Sequence, residues 1–168
     1  MEKDFLIFST KKKRYDQVLY INKEGNEIVR INYNDGNPSI VLKKDLQNKA
    51  PHYYFQETIS LDRGELYLST LDLNIEEGKI ETPLKPMIRF ATPIFDKRGQ
   101  KQGILVLNYL GDIILKRLRS TTEDVSGRTM MLDSEGYWIL GPNPDLEWGF
   151  MYEDKKDLVL EKEEYILK

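Results

Sequence analysis

One arginine on a predicted strand is the first residue whose surroundings indicate chemistry. Side chains of a strand point alternately to its two faces, so Arg89 shares a face with Met87 and Ala91. A guanidinium among apolar neighbours can bind a carboxylate through two parallel hydrogen bonds. The pattern predicts an anion-binding pocket. A solvated sheet face and a structural ion pair of Arg89 with an acidic residue are the alternatives.

Isolated polar side chains interrupt two other predicted strands in the same way. Tyr67 and Ser69 share one face of a strand predicted at 65–71, and Asn108 shares a face with Ile104 and Val106. Small-molecule sites are mostly apolar with a few placed polar groups. These groups are therefore candidates for a pocket, again with a solvated sheet face as the alternative.

Motifs of catalysis and metal binding do not occur in the sequence. There is no G-x-S-x-G motif, no P-loop and no dinucleotide-binding glycine motif. The chain has no cysteine and a single histidine, His52, which argues against thiolate and multi-histidine metal sites. Residues 72–76 begin like a calcium loop, but Glu77 and Pro83 stand where an EF-hand needs Gly and Glu. We predict no catalytic residue, no metal and no cofactor.

Composition limits the class of protein. The 168 residues carry 25 basic and 28 acidic side chains, and 40% of them are apolar. These values are typical of a globular domain with a core, and the net charge of −3 argues against a nucleic-acid partner. No stretch approaches the roughly 20 apolar residues of a membrane span, and the N-terminus lacks a signal pattern. We expect a mature or excised soluble piece, or a cytoplasmic protein.

Hairpins and helices must position the candidate residues. Three turns begin with Asn or Asp and have Gly in fourth place, which favours antiparallel hairpins; they lie at 22–25, 96–99 and 133–136. Helices are predicted at 3–13, 51–61 and 110–118, and strands at 18–21, 27–33, 65–71, 86–95, 103–109, 129–132 and 137–140. A polar loop is predicted around 76–78. Consecutive antiparallel strands with helices at their side indicate an α+β fold.

Several ordered stretches carry a family resemblance. They are YDQVLYIN at 15–22, YYFQE at 53–57, STLDLN at 69–74 and PMIRFATP at 86–93. Together they resemble the extracytoplasmic double-Cache (PAS-like, PDC-type) sensor domains of bacterial or archaeal histidine kinases, diguanylate cyclases and chemoreceptors. MMLDSEGYW at 130–138 is similar to the start of the second, membrane-proximal module of that family.

The resemblance implies an architecture and a function. Residues 1–14 would end an N-terminal helix, and 15–120 would form the membrane-distal module, with a central five-stranded antiparallel sheet flanked by helices. Residues 121–168 would begin the proximal module; they are too few for a core of their own, so we expect poor order after about residue 154. The function implied is non-enzymatic sensing of a small molecule outside the cytoplasm. The parent protein would be membrane-anchored, with a kinase or cyclase output domain outside this chain, and a homodimer fits this interpretation.

The family's usual ligand position lies between the sheet and the segment 52–73. There Arg89 would anchor a small anion, a carboxylate being favoured, and Asp72 would meet an ammonium group if the ligand has one. His52 stands where many amino-acid-binding members have an arginine. The other candidates supply hydroxyl or amide groups: Tyr54, Tyr67, Ser69 and Asn108. The alternative function is a small α+β enzyme or a protein-interaction domain with a tyrosine-rich surface.

Overall fold

Groups of consecutive strands follow each α-helix in the computed structural model, which describes residues 1–76, 78–121, 129–141 and 143–155. In chain order the elements are α1 (Glu2–Lys12), β1 (Tyr15–Asn22), β2 (Glu27–Asn32), β3 (Ser39–Ile40), α2 (Tyr53–Ser60), β4 (Tyr67–Leu68), β5 (Asp72–Leu73), β6 (Ile75–Glu76), β7 (Lys79–Ile80), β8 (Pro86–Phe95), β9 (Lys101–Leu110), α3 (Asp112–Thr121), β10 (Met131–Leu132) and β11 (Trp138–Leu140). Within these described ranges, no helix is both long and apolar enough to cross a membrane.

The predicted turns form as hairpin turns because their first side chain binds the backbone of the turn. Asp96 Oδ1 accepts from the backbone N–H groups of Arg98 and Gln100, at 2.8 and 2.9 Å. Asp133 makes the equivalent pair of bonds at 2.9 Å each. The glycine in fourth place has a positive φ in all three turns, which is the conformation that favours glycine. The hairpins predicted from the sequence are thereby confirmed. The three predicted helices are confirmed as well, as α1, α2 and α3.

Contacts divide the chain into two units. The first holds residues 1–70 and 87–110, and the second holds 71–86 together with the described residues after 110. Module boundaries at 14 and 120 stay a prediction, and residues 156–168, for which we expected poor order, lie outside the described residues.

An antiparallel sheet forms the centre of the first unit. Six strands of this described part follow the order β3-β2-β1-β9-β8-β4. The antiparallel sheet flanked by helices is therefore confirmed. All five strands predicted for it are present, although the one predicted at 65–71 shortens to β4, and β3 extends the sheet along β2. At the loop predicted around 76–78, the short strands β6 and β7 pair antiparallel with each other.

Each face of this sheet has its own apolar core, because successive side chains of a strand point to opposite sides. The core on the α1 face joins residues of α1 to β1 and β2: Phe5, Leu6, Phe8, Val18, Val29 and Ile31. The core on the α2 face joins α2 to β1, β8 and β9: Leu19, Ile21, Tyr54, Phe55, Ala91, Ile104 and Val106. Tyr54 and Phe55 therefore hold α2 against the sheet.

A buried group of charges lies at one side of the α2 face. Nη1 of Arg30 lies 3.3 Å from Glu27, and Nζ of Lys49 lies 3.8 Å from the same carboxylate. Glu27 Oε2 also accepts from the backbone N–H of Gln47 at 3.0 Å, and Arg30 donates to the carbonyl of Asp45. We call Glu27, Arg30 and Lys49 the Glu27 cluster. Its contacts fix the chain after β3 over the β1–β2 hairpin.

The second unit also has an apolar core. It combines residues before β8 with α3 and the C-terminal hairpin: Leu73, Leu115, Ile139 and Trp148. Trp138 and Trp148 are each 4% exposed, and the backbone N–H of Trp148 donates to the carbonyl of Trp138 at 2.7 Å. Trp148 fills part of this core, and its backbone bond to Trp138 supports the loop between the two tryptophans.

Candidate functional site

A row of polar side chains crosses the α2 face of the sheet. The strand register places Gln17 opposite Asn108, and Asn108 opposite Arg89. We call these three residues the polar row. The neighbouring row lies two positions away on each strand. It is apolar and consists of Leu19, Val106 and Ala91. The polar row therefore borders the apolar core beneath α2.

Arg89 is buried between the sheet and the start of α2. Its side chain is 5% exposed, and Nη1 donates to the hydroxyl of Tyr53 at 3.3 Å. The guanidinium carbon lies 5.3 Å from the centre of the Tyr54 ring, a cation–π arrangement. The donors of a guanidinium lie in its plane, so contact through its face is compatible with hydrogen bonds at its edges.

Asn108 holds an unpaired polar atom beside Arg89. Its side chain is 5% exposed, and Nδ2 donates to Gln17 Oε1 at 2.9 Å. Oδ1 is buried and has no hydrogen-bond partner among the described residues. Leaving such an atom unpaired costs about 1–3 kcal/mol, and a water or a ligand commonly satisfies it. The polar row thus presents one acceptor next to one cation.

The start of α2 positions the aromatic residues over the row. His52 is the N-cap residue, and its carbonyl accepts from the backbone N–H groups of Phe55 and Gln56 at 3.0 and 3.2 Å. The rings of His52 and Tyr54 lie 5.4 Å apart, and those of Tyr53 and Tyr54 lie 5.8 Å apart. Tyr53 is 43% exposed, so it connects the buried Arg89 with the surface.

The structure places six of the seven predicted site residues on the α2 side of the first unit: His52, Tyr54, Tyr67, Ser69, Arg89 and Asn108. Tyr67 is half-buried and packs against the apolar core there. The Ser69 hydroxyl donates to the carbonyl of Thr70 at 2.7 Å and accepts from the Arg89 backbone N–H at 2.8 Å. Asp72 is buried and belongs to the second unit. Ligand contacts of all seven residues stay predictions.

Sequence reasoning missed Gln17 and Tyr53. Gln17 lies on the same face of its strand as Leu19 and Ile21. The alternation of side chains that identified Arg89 could therefore also have identified this glutamine. Tyr53 gives no such signal, because an exposed tyrosine in the first turn of a helix is compatible with many roles. Together the site offers a positive charge, an acceptor and aromatic faces. These groups can bind a small anion that has an apolar part.

Known proteins resemble this chain in sequence and in fold. The family model described as "bacterial histidine kinase, sensor domain" matches residues 1–164. A search of curated proteins finds no match. The extracellular domain of vpHK1S-Z8, which is named a histidine kinase, is 24% identical with a TM-score of 0.79; the match covers 94% of this chain and 56% of that one.

Two other solved structures share the fold. A domain of a sensory box/GGDEF family protein from Vibrio parahaemolyticus is 24% identical with a TM-score of 0.76, covering 94% of this chain and 59% of that one. The ligand-binding domain of the amino acid chemoreceptor PctC from Pseudomonas aeruginosa, solved with GABA, is 14% identical with a TM-score of 0.56, covering 81% and 53%. The chain therefore spans between half and three fifths of the length of these domains.

Proposed function

The chain belongs to the bacterial histidine kinase sensor domain family, and we propose that it senses a small molecule outside the cytoplasm for a membrane-anchored signalling protein. Structural neighbours of this fold include the extracellular domain of vpHK1S-Z8 and a ligand-binding domain of a chemoreceptor, which supports the proposal. In this proposal the domain binds without catalysis, and the output activity lies in other parts of the parent protein.

We infer that the ligand binds on the α2 face, between the polar row and the start of α2. The observation that carries this proposal is the buried Arg89 guanidinium, which lies over the Tyr54 ring and donates to the Tyr53 hydroxyl. Hydrogen bonds from a guanidinium to a carboxylate are stronger than those to a neutral hydroxyl. A small carboxylate is therefore the ligand class that this site favours, with Arg89 as its anchor.

Substituting the anchor tests the proposal against the alternative of a structural ion pair. Arg89→Met keeps the length of the side chain and removes its charge. If Arg89 binds the ligand, the variant without ligand loses little stability, and stabilisation by the carboxylate disappears. If Arg89 is structural, orphaning a buried acid lowers the free energy of unfolding by about 3–5 kcal/mol even without ligand.

The measurement is thermal unfolding of both proteins with a panel of carboxylates, amino acids and polyols. Arg63→Met is the matched control, because Arg63 is an exposed arginine that also lies over an aromatic ring, that of Phe95, at 5.0 Å. This control should keep the full stabilisation by ligand. Undiminished stabilisation of Arg89→Met would eliminate Arg89 as the anchor.

A further inference from the structure

The unpaired oxygen of Asn108 restricts the class of ligand, provided that the proposed site binds a small anion. We propose that Asn108 determines specificity by accepting a hydrogen bond from a donor on the ligand, next to the anionic group that Arg89 holds. The ligand class is then a carboxylate that carries a hydroxyl, amino or amide N–H group near its carboxyl carbon. Plain carboxylates, which have no such donor, would be discriminated against.

Asn108 and Arg89 are placed to contact the same small molecule. They lie directly opposite each other on β9 and β8. Opposite side chains in an antiparallel pair have Cβ atoms about 4.5–5.5 Å apart and share one face. Both side chains are 5% exposed, so both are removed from bulk water. One ligand can therefore place its anion at Arg89 and its donor at Asn108.

Gln17 fixes which end of the Asn108 amide is presented. Asn108 Nδ2 donates to Gln17 Oε1 at 2.9 Å, which leaves Oδ1 as the end without a partner among the described residues. Reversing the Asn108 amide alone would place two oxygens against each other. Oδ1 can only accept, so it selects a donor and repels the oxygens of a second carboxylate.

A second acceptor of the same type lies on the same row. Asn32 is directly opposite Gln17, on the side away from Asn108, and its Oδ1 is also buried without a partner in the described part of the chain. The face of the sheet at this level is therefore rich in acceptors. A ligand with more than one donor could use both, whereas an anion alone matches only Arg89.

Packing alone does not explain an asparagine at position 108. Its neighbours on the same face, Val106 and Ala91, are 0% and 1% exposed, so an apolar residue would continue the core. An apolar pair at positions 17 and 108 would leave no unpaired amide oxygen there, so packing does not require this amide pair. A binding role accounts for the amide that packing does not require.

Titration calorimetry of the purified domain with three acids of one carbon skeleton tests the inference. The acids are propionate, 2-hydroxypropionate and 2-aminopropionate, which share the carboxylate and carry at carbon 2 no donor, a neutral hydroxyl donor and a cationic ammonium donor. For the wild type we expect at least one donor-bearing acid to bind about 10-fold more tightly than propionate, since pairing a buried acceptor has an effect of this order. In Asn108→Leu this ratio should fall to about one, and binding of propionate should persist.

Asn108→Thr is the second variant, because threonine favours strands and keeps a hydroxyl that can accept. It should show an intermediate ratio of affinities between the donor-bearing acid and propionate.

Equal affinities for the three acids in the wild type, or a ratio that persists in Asn108→Leu, would overturn the inference. If binding is equal but is lost in Arg89→Met, the proposed anion site stands and only the role of Asn108 fails. If none of the acids binds, the ligand class is wrong, and the Arg89→Met panel decides separately about the site.

Discussion

Two buried polar groups on the α2 face of one sheet are built in different ways. In the Glu27 cluster, one carboxylate lies 3.3 and 3.8 Å from two cations and also accepts from the backbone of Gln47. In the polar row, Asn108 Oδ1 has no partner in the described chain, and Arg89 contacts the Tyr53 hydroxyl and the Tyr54 ring. The first group pairs a carboxylate with two cations, whereas the second includes an acceptor without a hydrogen-bond partner among the described residues.

Burial of polar groups is therefore insufficient to identify a binding site. Both groups are nine-tenths or more buried, and both include an arginine. They differ in one respect: the carboxylate of Glu27 lies beside two cations of the chain, whereas the oxygen Asn108 Oδ1 has no hydrogen-bond partner among the described residues. A group whose charges pair within the chain should matter for stability and not for ligand binding, and a group that binds the ligand should show the reverse. Three variants test this contrast.

The largest effect on stability is expected for Glu27→Gln. This change leaves Arg30 and Lys49 buried without their carboxylate, and orphaning a buried charge lowers the free energy of unfolding by about 3–5 kcal/mol. Urea unfolding measures the loss. Stabilisation by ligand, as the shift between bound and free protein, should stay the same for any variant that still folds.

Glu24→Gln is the control for that change. Glu24 lies 3.9 Å from Lys23 with both side chains more than half exposed, and such pairs contribute about 0–1 kcal/mol. If Glu27→Gln lost no more stability than Glu24→Gln, the Glu27 cluster would not be the structural group that we describe.

A smaller effect of opposite sign is expected when the amide pair of the polar row becomes apolar. The double substitution Gln17→Leu with Asn108→Leu removes both partners of one hydrogen bond together with the unpaired Oδ1. Replacing both partners by apolar groups is neutral or stabilising, here by up to about 1–3 kcal/mol. Urea unfolding without ligand should show this gain, while preference for donor-bearing acids disappears. A loss similar to that of Glu27→Gln would make the row structural and erase the contrast.

Alternation along single strands explains what the sequence could predict about this site. The bounds of β8 agree with the predicted strand at 86–95, and Arg89 shares its face with Met87 and Ala91, which are 0% and 1% exposed. Local sequence fixes which residues share a face, because the period of a strand is two. The sequence alone is therefore sufficient to place Arg89 among apolar neighbours.

Contacts between distant parts of the chain could not be predicted in this way. Gln17 and Asn108 meet although 91 positions separate them, and Lys49 reaches Glu27 from a segment without regular structure. Which side chains meet depends on strand order and register, and those depend on the whole fold. In the sequence, Arg30 and Arg89 give the same signal, because each is a single arginine in an apolar strand. The sequence alone therefore could not distinguish the two polar groups.

The smallest effect on stability is expected for Tyr53→Phe, which sharpens the contrast at the entrance of the site. Tyr53 is 43% exposed, so water can replace its hydroxyl as the partner of Arg89, and the free energy of unfolding should change by less than about 1 kcal/mol. A tyrosine hydroxyl can accept and donate at once, so we expect a carboxylate bound beside Arg89 to accept a hydrogen bond from Tyr53 as well. Losing a hydrogen bond to a charged group should weaken binding of the carboxylate about 10-fold or more.

Tyr20→Phe is the control for Tyr53→Phe, since the Tyr20 hydroxyl donates to the carbonyl of Gln102 at 3.2 Å, outside the polar row. Calorimetry that finds equal affinities for Tyr53→Phe and Tyr20→Phe would remove Tyr53 from the site and leave Arg89 as the sole anchor of the anion.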